Sequence, residues 1–174
     1  MSSYLDQDDG SVVWDRNRLD LERAVANDSY PLTNTEGREF YYGSNHFNFW
    51  ASGLRDYCEI VSWFEQKGQP LESYLDIGCA TGRVARAFES QGGIKTYACD
   101  INRRHVDWIA ANLSKNIVAF QNHSIPTLPL PDACLDLVTA FSVFTHIEAF
   151  DTTWLSEIRR ILKPGGIAWL TIHG

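Results

Sequence analysis

Residues 73–83, SYLDIGCATGR, constrain this chain more than any other stretch. Tyr74, Leu75 and Ile77 make a short apolar strand that runs into a turn bearing Gly78 and Gly82. A helix is predicted over 84–90, with Val84, Ala87 and Phe88 on one face. Glycine at 78 and 82 removes Cβ atoms where the backbone bends sharply and where a ligand would lie against it. Asp76 closes the strand at the carboxyl edge, where open α/β sheets bind ligands. The spacing Asp-x-Gly-x-Ala-x-Gly is not the Gly-x-Gly-x-x-Gly of a dinucleotide site. Two glycines also suit any strand–turn–helix, so the turn alone leaves a cofactor site and a plain structural turn equally open.

A second anchor lies downstream. Residues 95–99 read as another short strand, with Asp100 at its end. The two strand ends of a βαβ unit are neighbours, so Asp100 is expected to face the glycine turn, where a carboxylate accepts both hydroxyls of a ribose. Asp is also a favoured N-cap, and capping a helix that begins at Asn102 is compatible with that role. Residues 102–113 form that helix, burying Val106, Ile109, Ala110 and Leu113, with Arg104 on its solvated face. Ile117–Gln121 is a third strand ending at Asn122-His123-Ser124, and Asn122 carries the donor and acceptor that an adenine edge requires. Residues 134–141 are mostly apolar through Leu135, Leu137 and Val138, as a strand buried on both faces should be, and lead to Phe141-Ser142 and then Phe144-Thr145-His146. His146 has the one side chain whose ordinary pKa suits proton transfer near neutrality. A hydrogen bond to a loop carbonyl explains it equally well. A helix over 151–162, capped by Asp151, ends at Pro164-Gly165-Gly166, and a fifth strand spans 167–172.

With these residues in view, LDIGCATGRVARAF, YACDINRRHVDWIAANL, LPDACLDLVTAFSVFTHI and WLSEIRRILKPGGIAWLTIHG resemble the successive motifs of class I S-adenosylmethionine-dependent methyltransferases. The resemblance covers about residues 71–174. It implies a three-layer, doubly wound α/β fold with a mainly parallel sheet of about five strands in the order 3-2-1-4-5. It also implies S-adenosylmethionine as cofactor and methyl transfer to a small-molecule acceptor. On this reading Asp76, Gly78, Cys79, Ala80, Thr81 and Gly82 border the cofactor, and Asp100 with Ile101 holds the ribose. Asn122, His123 and Ser124 meet the adenine, and Phe141 and Ser142 lie near the methyl group. His146 is the candidate general base. Ala80 departs from the pattern, since many members have glycine there, and its small side chain is expected to be tolerated. The resembling family ordinarily continues into an antiparallel strand pair beside strand five. This chain is therefore expected to be short at its C-terminus, with self-association or a further C-terminal segment covering the apolar edge at 167–172.

The rest of the chain bounds these expectations. The 174 residues are 44% hydrophobic, enough for a real core. A net charge of −7 argues against nucleic acid as a general partner. The four cysteines form no Cys-x-x-Cys pair, which points to reduced thiols in the cytoplasm and not to a metal site. No apolar run reaches membrane-spanning length and the first residues are acidic, so neither a membrane nor a secretory signal is expected. Residues 1–53 read as an N-terminal leader, with Trp14 docked, and an aromatic cap. Residues 54–174 read as the core, entered by a helix over 54–67 that carries Tyr57, Ile60, Val61 and Phe64 on one stripe and stops at Gly68. Within the aromatic run 40–50, Tyr42 and Trp50 are the candidate acceptor contacts. Two other readings stay open: a non-catalytic cofactor-binding or interaction domain, and a nicotinamide-dependent oxidoreductase, against which the glycine spacing stands.

Overall fold

The computed structural model describes residues 1–147 and 151–172, with the Asp151 side chain and so its expected cap outside the described part. Among the described residues five strands form one parallel sheet: β1 (Ser73–Ile77), β2 (Lys95–Asp100), β3 (Ile117–Gln121), β4 (Leu135–Ala140) and β5 (Leu162–Leu170). Their order is β3-β2-β1-β4-β5, the order expected. Parallel strands buried on both faces need apolar side chains on both, and β1 and β4 are buried at every position.

Helices α1 (Leu21–Asn27), α2 (His46–Lys67), α3 (Ala85–Gly92), α4 (Arg103–Asn112) and α5 (Asp151–Ile161) complete the layers, after a short 3₁₀ turn at Ser2–Gln7. Ile60 and Phe64 of α2 and Phe88 of α3 pack with Tyr74 and Leu137. Ile109 of α4 packs with Ala85 and Ala98. A separate cluster joins Leu75, Val138 and Ala140 to Trp154, Ile158 and Ile161 of α5. Adjacent strands thus send their side chains into two apolar layers.

Helix α2 begins at His46, eight residues before the expected start, so the boundary drawn between 53 and 54 falls inside it. The Asn45 side chain caps it by accepting from the Asn48 N–H at 2.8 Å. Gly53 reads locally as a breaker, but it is a contact glycine. A Cβ there would sit 2.1 Å from the Arg83 carbonyl oxygen, so only glycine lets α2 lie on the segment after the β1 turn. The N-terminal segment packs on α2 through Val12, Trp14, Leu19, Ala24, Phe47, Trp50 and Leu54. Trp14 is docked as expected, its indole N–H donating to the Leu19 carbonyl at 2.9 Å.

Strand β5 differs from the expected 167–172. Pairing with β4 starts at Leu162, and the register jumps so that Leu135 faces Leu162 while Leu137 faces Ile167. The Lys163–Gly166 turn therefore bulges out of a strand already begun, with Gly165 at φ +83°. Among the described residues β5 pairs only with β4, and Trp169 packs edge-on against Trp63 of α2 at 6.5 Å.

Candidate cofactor and acceptor site

The β1 turn is fixed before any side chain takes part. The N–H groups of Gly78 and Cys79 both donate to the Cys99 carbonyl, at 2.8 and 3.0 Å, which ties the turn to the end of β2. Gly78, Ala80 and Gly82 adopt φ values of +69°, +46° and +78°. The Ala80 conformation is thus a left-handed one that alanine enters only at a cost. Cys79, Thr81 and Gly82 are buried, while Gly78 is exposed on the carboxyl edge.

Asp100 faces this turn. Its Oδ2 accepts from the Ala80 N–H at 2.8 Å and its Oδ1 from the Asn102 N–H at 2.8 Å. The helix cap is Asn102, whose side chain accepts from the Arg104 N–H at 3.1 Å, so Asp100 is not the cap of α4. Burial on its own pushes the Asp100 carboxyl up. His105 and the N–H groups of Asn102 and Ala80 outweigh it and hold the pKa below the ordinary value. The next strand end adds Asn122, whose N–H donates to the Asp100 carbonyl at 3.2 Å. The Asn122 amide oxygen is buried without a protein partner, as is the Thr81 hydroxyl. Ile101, His123 and Ser124 are exposed beside them.

Asp76 lies on the other side of Gly78, 3% exposed, and accepts from the Thr139 hydroxyl at 2.9 Å. Thr139 in turn meets the Tyr74 hydroxyl at 2.7 Å. Burial raises the Asp76 pKa to about 6 against the opposing Thr139 hydrogen bond and the Arg83 charge. Arg83 donates to Asp56 at 2.6 Å and stands 5.8 Å from the rings of both Tyr41 and Phe141. The loop after β4 closes on the turn, since a Cβ at Gly78 would come 2.3 Å from Val143 Cγ2. Ser142 is exposed, with φ +57°, and its N–H donates to the Thr171 hydroxyl at 2.6 Å. His146 is exposed on the same loop, its N–H donating to the Val143 carbonyl at 2.9 Å.

Of the two aromatic candidates for the acceptor, Trp50 is corrected. Trp50 is 3% exposed and its indole N–H donates to Asp28 Oδ2 at 2.8 Å, so it belongs to the N-terminal core. Tyr42 packs against the same core, and its neighbour Tyr41 is the residue that reaches Arg83. Tyr41, Arg83 and His105 are not among the residues singled out from the sequence, and the fold brings them to this edge of the sheet. Arg83 stands directly after the second glycine, and its side chain donates to Asp56 and Ser52 of α2. For His105 and Tyr41 no local signal existed.

The sequence profile of the methyltransferase domain family matches residues 75–170. Among curated relatives, the chain is 31% identical over 103 residues to a sterol 24-C-methyltransferase of Gibberella zeae, covering 57% of this chain and 27% of that protein. It is 31% identical over 123 residues to a ubiquinone/menaquinone biosynthesis C-methyltransferase of Cupriavidus metallidurans, covering 67% and 49%. Among solved structures, one from Methanococcus maripaludis assigned as an S-adenosyl-L-methionine-dependent methyltransferase superposes with a TM-score of 0.59 at 25% identity, covering 70% of this chain and 56% of that one. The chain spans about a quarter to a half of the length of these curated relatives.

Proposed function

The chain belongs to the methyltransferase domain family, and on that premise we propose that it binds S-adenosylmethionine and directs its methyl group to an oxygen or nitrogen of a small-molecule acceptor. One observation carries this reading: the Asp100 carboxylate is held 2.8 Å from the Ala80 N–H, so the acid and the glycine turn form one surface at the carboxyl edge of the sheet. The residues fit the cofactor. Gly78 presents exposed backbone, the buried Asn122 oxygen lacks a partner, and Asp100 keeps lone pairs beyond the two already used.

When bound, the sulfonium supplies an already activated methyl group, so no covalent nucleophile is required of the protein. The work left to the chain is in-line positioning and exclusion of water. Asp76 and residues 78–82 let the backbone approach the cofactor, and Asp100 accepts from the ribose hydroxyls with Ile101 alongside. Asn122, with His123 and Ser124, matches the adenine edge. Phe141 and Ser142 border the methyl region, with Tyr41 and Arg83 at the acceptor rim. His146 is the proposed proton acceptor for a hydroxyl or amine. Four free cysteines support a reducing, cytoplasmic setting. Among the described residues no helix is long and apolar enough to cross a membrane.

Calorimetric titration tests the cofactor. The methyl donor and its demethylated product should bind and NAD should not, and a preference for NAD would sink the reading. Asp100→Ala should cost the product roughly tenfold to a hundredfold in affinity, the size of a charge-assisted hydrogen bond of about 1.5–3 kcal/mol. Labelled methyl donor with a panel of acceptors then tests turnover. Binding without turnover across alcohols, amines and phenols favours a non-catalytic cofactor-binding domain.

A further inference from the structure

Residues 33–43 cross the glycine turn as a strap. Glu39 Oε1 lies 3.5 Å from His105 Nε2 and 3.4 Å from Asn102 Nδ2, both on the far side of the turn in and beside α4. Two residues later Tyr41 meets Arg83, which follows the turn on its near side. The strap holds an unusual backbone for this span, with Glu39, Phe40 and Tyr42 at φ +54°, +62° and +61°. Such a run persists only where contacts over-determine it. Arg38 supplies some of them: buried, it donates to the carbonyls of Thr33 at 3.2 Å, Tyr41 at 2.8 Å and Gly43 at 2.5 Å. The pair of contacts at Glu39 adds anchors that reach α4 and its cap.

His105 joins the strap to the site. It is 7% exposed, and its Nδ1 lies 3.4 Å from Asp100 Oδ2. That is an ion-pair distance without a formed hydrogen bond, so Nδ1 is buried and unpartnered in the protein. A crevice of about 340 Å³ runs between strap and α4, lined by Glu36, Glu39, Thr81, Arg104, His105 and Trp108 among others. The titratable and charged groups facing His105 are therefore Asp100 from β2, Glu39 and Glu36 from the strap, and Arg104 from α4. Three of the four are carboxylates.

We infer that His105 is a positioning residue of the cofactor site: one imidazole nitrogen faces the carboxylate that takes the ribose, and the other latches Glu39 and with it the strap over the glycine turn. This rests on the cofactor reading above. A neutral imidazole has a single N–H and satisfies one carboxylate, whereas the imidazolium donates from both nitrogens and satisfies two. Asp100 pushes the His105 pKa up against the opposing effect of burial, and Glu39 adds to it. A raised histidine pKa means the doubly paired form is complete at low pH and is lost as pH rises through the folded-state pKa. Because Asp100 itself stays ionised across that window, the change belongs to His105.

The test pairs two measurements on the 174-residue chain. NMR titration of the ligand-free protein should show His105 titrating above the ordinary histidine range, and Glu39→Gln should bring it down. Calorimetry with the demethylated product should show tighter binding at pH 6 than at pH 8.5. His105→Gln, which keeps an N–H near Nε2 but no charge, should lose about tenfold in affinity at pH 6 and flatten the profile, one charge-assisted contact's worth. Glu39→Gln should flatten the same profile with a smaller loss. A His105 titration indifferent to Glu39→Gln overturns the latch without any ligand. Product affinity that is independent of pH in the unaltered chain, or unchanged in His105→Gln, overturns the positioning role while leaving the cofactor reading intact. No binding by the unaltered chain at either pH overturns both.

Discussion

Asp28 and Arg86 form a two-point ion pair with no access to water: Arg86 Nε donates to Asp28 Oδ2 at 2.8 Å and Nη2 to Oδ1 at 2.7 Å, with side chains 1% and 0% exposed. Arg86 also donates to the carbonyls of Tyr30 at 2.8 Å and Pro31 at 2.9 Å, and Trp50 completes the shell around Asp28. The pair binds the N-terminal segment to α3, the helix that begins beyond the glycine turn. Burying two charges gains little unless most of their lone pairs and protons find partners, and removing one partner strands the other.

Arg86→Met should therefore destabilise the chain by about 3–5 kcal/mol, because Asp28 is left buried with only an indole N–H from the side chains around it. Urea unfolding followed by tryptophan fluorescence reads this directly. A loss below about 1 kcal/mol would mean the N-terminal segment is held by its apolar contacts alone.

Ala80 sits at φ +46°, where an L side chain costs roughly 1–2 kcal/mol and glycine nothing. Glycine gives back about 0.4–1 kcal/mol through the freedom of the unfolded chain. Ala80→Gly should thus be neutral or stabilising by up to about 1.5 kcal/mol, and Ala80→Val clearly destabilising. Thermal unfolding of the three proteins should rank Gly at or above Ala, and both above Val. A destabilised glycine variant would show that the turn is not strained.

Gly78→Ala meets two obstacles, a φ of +69° and Val143 Cγ2 at 2.3 Å from the new Cβ. Removing the Val143 branches relieves the second obstacle and leaves the first. Gly78→Ala should weaken binding of the demethylated product, and Gly78→Ala with Val143→Ala should restore part of that loss. Strict additivity of the two substitutions would mean that Val143 does not close on the turn.

Asp76 pairs burial with a carboxyl pKa raised to about 6. A raised carboxyl favours the folded state below the unfolded pKa, and that contribution is lost as pH rises through about 6. At pH 7.5 the ionised Asp76 is consequently a liability, of the kind sites keep for function. Asp76→Asn should raise the urea midpoint at pH 7.5 and raise it much less at pH 4.5. An equal gain at both values would show that Asp76 ionises without penalty.

The sequence by itself determined the frame and which residues lie beside the glycine turn. Strand and helix periods, the glycines at 78 and 82 and the proline-glycine turn at 164–166 are local signals, so the five strands were legible from the residues, while their order followed from the family resemblance. Asp100 was legible because neighbouring strand ends in a βαβ unit must meet. Tertiary structure decided what lies on top. Gly53 looks like a helix breaker until Arg83 is seen against it. Arg86 and His105 carry no local signal that sets them apart, and only the packing of residues 28–41 against α3 and α4 surrounds them. Periodicity reports which way a side chain points relative to its own helix. Whether a buried charge finds a partner depends on which distant segment arrives to supply it, and that is set by the fold as a whole.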